Sequence, residues 1–341
     1  MSKTIKISIY KEKIFVYSFF LKNSDIVKGD IKMISSPRTA FILQIHKNPE
    51  QVNKFIKQLI SEGHADVFVH IDKRNYGKIS GKIVKSPFVK VLKESIICEW
   101  GDISQVSTTI LLLREVMATK KNYDFVCLRS GQDLVVKDGF KNFLLNNERK
   151  VFMTLRNVSK FNLGLMEINW PKTTRKRYTT AHPNRIYRRV LQSLYRKGLN
   201  IFPNANYWPK EYAFYNGSQW FSIPLEVANY IIDFLDKNEW YYKYFENTLC
   251  PDEWFFHTLI MNSHYKTDVV NNNHMFLKWG EKFSEQSSPQ YLTIDDIQSI
   301  EESGHFFARK FDEDIDQSVV EYFANKVKFC NKHDKEVHAF S

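Results

Sequence analysis

Two adjacent carboxylates follow a proline at Pro251-Asp252-Glu253, and two adjacent cations sit in Phe307-Ala308-Arg309-Lys310-Phe311. A carboxylate so placed can take a proton from a hydroxyl. It can equally be there because acidic residues suit the positive end of a helix dipole, and residue types alone favour that second reading. A fixed ammonium can neutralise an anionic group, or the pair can line a basic surface strand. Neighbouring strand residues point to opposite faces, so only one of Arg309 and Lys310 is expected to reach a site. Asp312-Glu313-Asp314 and Asp314-Ile315-Asp316 have the Asp-x-Asp spacing that holds a hard cation against phosphate oxygens. Both lie near the C-terminus, far from the strand-end turn where such a motif belongs, and are discounted. That turn reads Arg129-Ser130-Gly131-Gln132-Asp133, with one carboxylate. The four cysteines are widely separated, with no CxxC pair and no zinc-like spacing.

The elements around these residues follow from pattern. Ala40 to Ile45 reads as a buried strand, followed by a helix with Asn48 at the cap, Pro49 at its first position and Gly63 at its stop. Val52, Phe55, Ile56, Leu59 and Ile60 share one face of that helix. Val67 to Ile71 is the next strand, which makes a βαβ unit and favours a parallel sheet with helices on its faces. A short strand at Val89 to Leu92 precedes a helix over Ser104 to Ala118, with Val106, Ile110, Leu113 and Met117 on one face. Tyr123 to Leu128 is a buried strand whose carboxyl end carries the polar turn, where open α/β sheets bind ligands. Lys172 to Arg189, dense in lysine, arginine and tyrosine, reads as a solvated surface or a substrate-facing loop. Gln219 to Ile223 suggests a strand and Pro224 to Asp236 a helix. Pro251 opens a helix with Phe255, Phe256, Leu259 and Ile260 inward, and a short helix over Asp295 to Glu302 is capped by Thr293 and stopped by Gly304.

The 341 residues suffice for one large mixed α/β domain, and no repeat or low-complexity linker divides them. Residues 1–37 read as a poorly defined leader, 38–316 as a single domain with halves 38–150 and 151–316, and 317–341 as a C-terminal helical segment. The net charge of +11 admits nucleic acid, a membrane surface or a phosphorylated substrate as partner. The apolar run Ile14 to Leu21 is far shorter than the ~20 residues of a membrane span. Cysteine usage and the missing anchor suggest a cytoplasmic protein, with peripheral contact to the inner face of a bacterial membrane through its basic surface.

Seven segments, in order, resemble the core-2/I-branching β-1,6-N-acetylglucosaminyltransferase family, glycosyltransferase family 14, which also includes peptide xylosyltransferases. They are His46-Lys47-Asn48-Pro49, Val69-His70-Ile71-Asp72-Lys73, Trp100-Gly101, Ser130-Gly131-Gln132-Asp133, Gly217-Ser218-Gln219-Trp220, Pro251-Asp252-Glu253 and Phe307-Ala308-Arg309-Lys310-Phe311-Asp312. The resemblance implies a GT-A-type fold, a Rossmann-like mixed sheet flanked by helices whose first half binds nucleotide. It further implies inverting transfer of a sugar, N-acetylglucosamine by preference, from a UDP donor to a hydroxyl of a glycan or glycolipid acceptor in cell-surface polysaccharide synthesis. No metal or other cofactor is expected.

Within that resemblance Glu253 is the base of a single in-line displacement, and Lys310, helped by Arg309, carries positive charge to the diphosphate. His46 and Asp72 surround the uridine, where a carboxylate can accept from the uracil N–H. Trp100, Gly101 and Asp133 line the donor pocket. Trp279 corresponds to an acceptor-stacking tryptophan. Trp220, Arg177 and Tyr178 are further acceptor candidates, Trp220 with a place in the core as its alternative. Relatives often carry a second basic residue where this chain has Gln290, and Arg309, Lys278 or Lys282 are candidates to compensate. The rivals are a UDP-xylose-dependent enzyme of the same family, a catalytically inactive sugar-binding relative and, remotely, a nucleic-acid-binding protein. The last lacks any helix-turn-helix, zinc-finger or RRM signature.

Overall fold

The computed structural model describes residues 38–61, 65–281 and 288–327. The expected leader, Gly63, Lys282, Cys330 and the segment beyond residue 327 lie outside the described residues. The chain begins with β1 (Thr39–Ile45), α1 (Pro49–Ile60) and β2 (Ala65–Ile71), then α2 (Tyr76–Ile79), β3 (Val89–Val91), α3 (Ser104–Ala118) and β4 (Phe125–Ser130). It continues with β5 (Asp133–Val135), α4 (Phe140–Leu145), β6 (Val151–Arg156), α5 (Lys160–Glu167), α6 (Pro183–Arg196), β7 (Asn216–Pro224), α7 (Leu225–Lys237) and α8 (Glu239–Phe245). The last part holds α9 (Phe255–Met261), β8 (Val269–Asn271), β9 (Met275–Leu277), α10 (Ile297–Glu302), β10 (Phe307–Arg309) and α11 (Gln317–Lys326).

Seven strands form one mixed sheet in the order β3-β2-β1-β4-β7-β6-β8. β1 runs parallel to β2 and to β4, and β7 runs antiparallel to both β4 and β6. Every residue of β2 and β4 is buried. Strands covered on both faces read as unbroken apolar runs, which is why these were visible in the sequence. The result is the expected Rossmann-like mixed sheet flanked by helices.

Strand direction sets the site. The carboxyl ends of β1, β2, β4 and β6 open on one edge of the sheet, and antiparallel β7 brings its amino end there. That edge therefore gathers His46, Asp72, Ser130, Arg156 and Asn216, the crevice position of open α/β sheets. A second sheet, β5-β10-β9, stands beside it. The Phe307 ring of β10 meets Phe140 at 4.8 Å and Phe55 at 6.4 Å, edge to face in both pairs, and lies under the buried Arg129 guanidinium at 4.2 Å. Aromatic packing of this kind fixes β10, and with it Arg309 and Lys310, against the core.

Several boundaries differ from expectation. Asn48 is not a side-chain cap: its φ is +51°, and its amide donates to Asp312 and Asp314 instead. The α3 face buries Val106, Leu112, Leu113 and Val116, leaving Ile110 and Met117 only partly covered. Lys172–Arg189, expected as a solvated surface or a substrate-facing loop, is largely exposed and irregular over residues 175–182, but it also holds a 3-10 turn at Lys172–Thr174 and the first half of α6. Pro251 opens a single 3-10 turn, Pro251–Glu253, after Cys250 in the left-handed region, and the α-helix starts only at Phe255. Glu253 thus precedes the helix, and the dipole account of its presence loses force. Thr293 and Asp296 do form a capping box, over a 3-10 turn that leads into α10.

Candidate active site

Glu253 is held from beneath by β7, where the Asn216 amide donates to its backbone carbonyl at 3.2 Å. Its carboxylate accepts from Arg156 Nη1 at 3.4 Å, and both side chains are 40 % exposed. The same guanidinium lies 6.0 Å from the ring centre of Trp279, which is itself 41 % exposed. A carboxylate, a cation and an open indole face therefore share one surface. Burial among surrounding protein pushes the Glu253 carboxyl up, with Arg156 and Asn216 opposing. Asp252 beside it is pushed up to about 7 by burial and by the Glu253 charge. Groups crowded by protein yet open to solvent on one side are what a cleft floor offers a general base.

A second cluster is cationic. Lys310 is 9 % exposed, with its ammonium 4.5 Å from the Tyr291 ring centre. Burial lowers its pKa, a hydrogen bond to Tyr291 works against this, and the charges of Arg309 and Arg177 lower it further. His46, at the exposed lip of β1, is held below its ordinary value by surrounding protein, then by Lys47, Lys310 and Arg309. Four cationic side chains thus act on one small region, the electrostatic setting for a polyanion.

Arg309 faces elsewhere than Lys310. It donates to Asp133 Oδ1 at 2.8 Å and to Ser130 Oγ, and lies 4.4 Å from the Trp220 ring centre. Asp133 is fully buried and also accepts from Ser130 N at 2.7 Å and Ser130 Oγ at 2.9 Å. Its carboxylate is committed to the β4–β5 turn and to Arg309. Trp220 is 7 % exposed, and Arg309 covers its ring. Of its two alternatives, the core position is the one observed, and no ring face is open to a sugar.

Asp72 accepts from Arg74 N, Nε and Nη2 at 2.7–2.9 Å and from Cys98 N at 3.0 Å, so it ties β2 to the loop after β3. Burial raises its pKa, but these hydrogen bonds outweigh it and hold the carboxyl low. That loop carries Trp100 and Gly101. Gly101 has φ +76°, a backbone that L side chains rarely adopt, and its carbonyl accepts from Cys250 N at 3.0 Å. The loop of Trp100 and Gly101 and the Glu253 turn are thereby joined. Arg188 of α6 lies 5.4 Å from the Trp100 ring and 5.8 Å from that of Tyr178, while Tyr178 stacks on His182 at 3.9 Å. Arg177 is exposed. A cavity of about 530 Å³ opens between Ser95–Ser104 and Lys172–Lys176, with Lys73 and Glu99 in its wall.

Gln290 contributes its backbone N–H to Lys278 O at 2.8 Å, and Lys278 is paired with Asp296 at 2.6 Å. The carboxylates of the C-terminal Asp-x-Asp runs are engaged as well. Asp312 holds Lys47 and Asn48, Asp314 holds Asn48, and Asp316 caps α11. Sequence reasoning missed Arg156, Tyr291 and Arg74. Arg156 ends a strand with no motif around it, whereas Tyr291 adjoins Gln290 and was within reach.

A family model described as "Core-2/I-Branching enzyme" matches residues 31–301. Curated relatives include "Xylosyltransferase oxt" of Drosophila melanogaster, 26% identical over 310 residues, covering 83% of this chain and 32% of the relative. "Xylosyltransferase sqv-6" of Caenorhabditis briggsae is 23% identical over 316 residues, covering 84% and 37%. "Xylosyltransferase 1" of Homo sapiens is 23% identical over 312 residues, covering 83% and 30%. The chain spans about a third of the length of these relatives.

Proposed function

The chain belongs to the Core-2/I-branching enzyme family of glycosyltransferases, and from that premise we propose that it transfers a sugar from a UDP donor to a glycan hydroxyl in one inverting, metal-independent displacement. The observation that carries this reading is the grouping of Glu253, Arg156 and Trp279 on one open surface. Glu253 takes the proton of the acceptor hydroxyl as its oxygen attacks the anomeric carbon. The Trp279 ring stacks on the acceptor and keeps that oxygen in line. The bond from the anomeric carbon to the diphosphate breaks on the opposite face, and UDP leaves.

Lys310 and Arg177 balance the charge that gathers on the leaving diphosphate, with Lys47 at the rim. Arg309 acts one step back, holding the Ser130–Asp133 turn. Arg177 answers the loss of a cation at Gln290. Metal independence is supported by the commitment of Asp133 to Arg309 and of Asp312, Asp314 and Asp316 to ties of their own. For the donor, the xylosyltransferase names of the relatives put UDP-xylose ahead of UDP-N-acetylglucosamine, the sugar of the family's branching enzymes.

A donor-hydrolysis screen with purified protein, with and without EDTA, tests these points together. UDP release from UDP-xylose that survives EDTA is expected. Release from UDP-N-acetylglucosamine alone reverses the donor choice, loss with EDTA removes metal independence, and release from no donor sinks the reading.

A further inference from the structure

Between Glu167 and Glu211 the chain carries ten lysines and arginines and no acidic residue. At the centre of this stretch is α6, whose buried face is Arg188, Leu191 and Tyr195. Residues three and four apart share a helix face, so Ile186 and Val190 fall one turn apart on the opposite side. They are 47 % and 50 % exposed. Just past the helix, Leu199, Ile201 and Phe202 are 55 %, 48 % and 44 % exposed. Arg189 and Lys197 are exposed on the outer side with them. Single exposed apolar residues need no explanation, but five within 17 positions, set among cations, make a patch.

We propose that the outer face of α6, with the segment that follows it, docks on an anionic phospholipid bilayer. A helix with basic residues beside exposed apolar ones lies in the headgroup plane, its apolar side chains entering the acyl boundary while its cations meet anionic lipid. Charge complementarity favours a polyanionic surface, and Ile186, Val190 and Phe202 select lipid over nucleic acid, which offers them nothing to enter. The inner face of the same helix places Arg188 against Trp100 and Tyr178. Docking therefore brings the bilayer to the wall of the proposed active cleft, suiting a lipid-linked acceptor.

The test is co-sedimentation of the full chain with vesicles of phosphatidylglycerol and phosphatidylcholine in equal parts, and with phosphatidylcholine alone. Binding to the first and not the second is expected, weakened about fivefold for each cation removed. R189E/K197E should therefore lower it by about twentyfold or more. I186S/V190S should also lower it, with melting temperature and UDP binding unchanged in both variants. Absence of binding to anionic vesicles overturns the proposal, as does binding that neither variant weakens. Binding weakened by R189E/K197E alone, and competed away by single-stranded polynucleotide, identifies a nucleic-acid surface instead and also overturns it. Donor hydrolysis by the variants in free solution is expected to match the parent, so failure here leaves the proposed transfer reaction standing.

Discussion

Asp252 and Glu253 share a turn, and the charge of Glu253 links their proton equilibria. Both are raised, Asp252 to about 7 from 3.8, and Glu253, facing Arg156, ionises first. The rate of transfer should climb above the ordinary carboxylate range and show a second inflection near pH 7. Asp252→Asn is expected to erase that upper inflection while keeping the lower one, read from kcat against pH. The stability effect has the matching sign. A carboxyl raised on folding favours the protonated protein, so its contribution is full below pH 3.8 and is lost as pH rises through about 7. Asp252→Asn should therefore raise Tm at pH 8 and leave it nearly unchanged at pH 3.5. Glu253→Gln should lower kcat by about 10²–10⁴ while sparing UDP binding, and unchanged turnover would remove it as the base. The two cations should separate as cleanly. Arg309→Ala strands the buried Asp133 carboxylate and is expected to cost about 3–5 kcal/mol of stability in denaturant melts. Lys310→Met relieves a desolvated ammonium, keeps the fold, and shows its loss in kcat. That Glu253 and Lys310 were candidates from sequence alone owed everything to the family resemblance, since residue types favoured a dipole partner and a surface strand.

At the scale of elements, what the sequence exposed depended on burial and on locality. β1, β2 and β4 were legible because strands covered on both faces leave unbroken apolar runs, and α1 because one stripe of it faces the core. β5, β9 and β10 are three residues each, too short for any period to show. α6 was missed for a different reason. Its apolar residues do gather on one side, but the stretch around it is so rich in lysine and arginine that it reads as solvated surface. Arg156 stayed hidden because its partner lies 97 residues away, and no local pattern announces such a pairing. Gly217, quoted only as part of a motif, acquires a reason in the structure. β6 and β7 slip register between Met153 and Leu155, and a Cβ on Gly217 would fall 1.7 Å from the Thr154 carbonyl oxygen. That atom is backbone and cannot swing aside. Gly217→Ala is accordingly expected to yield little folded protein, seen as insoluble expression or a Tm lowered by many degrees.

For the molecule as a whole, no described helix is long and apolar enough to cross a bilayer, so any membrane contact of the described residues falls to surfaces such as α6. The described chain also ends close to where it begins. Lys47 and Asn48 are bound to Asp312, Lys54 to Glu313, and Gln51 to the carbonyls of Gly131 and Phe311. All but the Gly131 pair join residues some 260 positions apart, and β10 sits between β5 and β9 to make them. During synthesis β1, α1, β2 and β4 leave the ribosome long before Phe307 does, and at ~5–20 residues per second the wait is of order ten seconds or more. Through that interval a nascent chain can own most of its parallel sheet and still lack Lys310, so the proposed grip on a nucleotide diphosphate should be absent until β10 arrives.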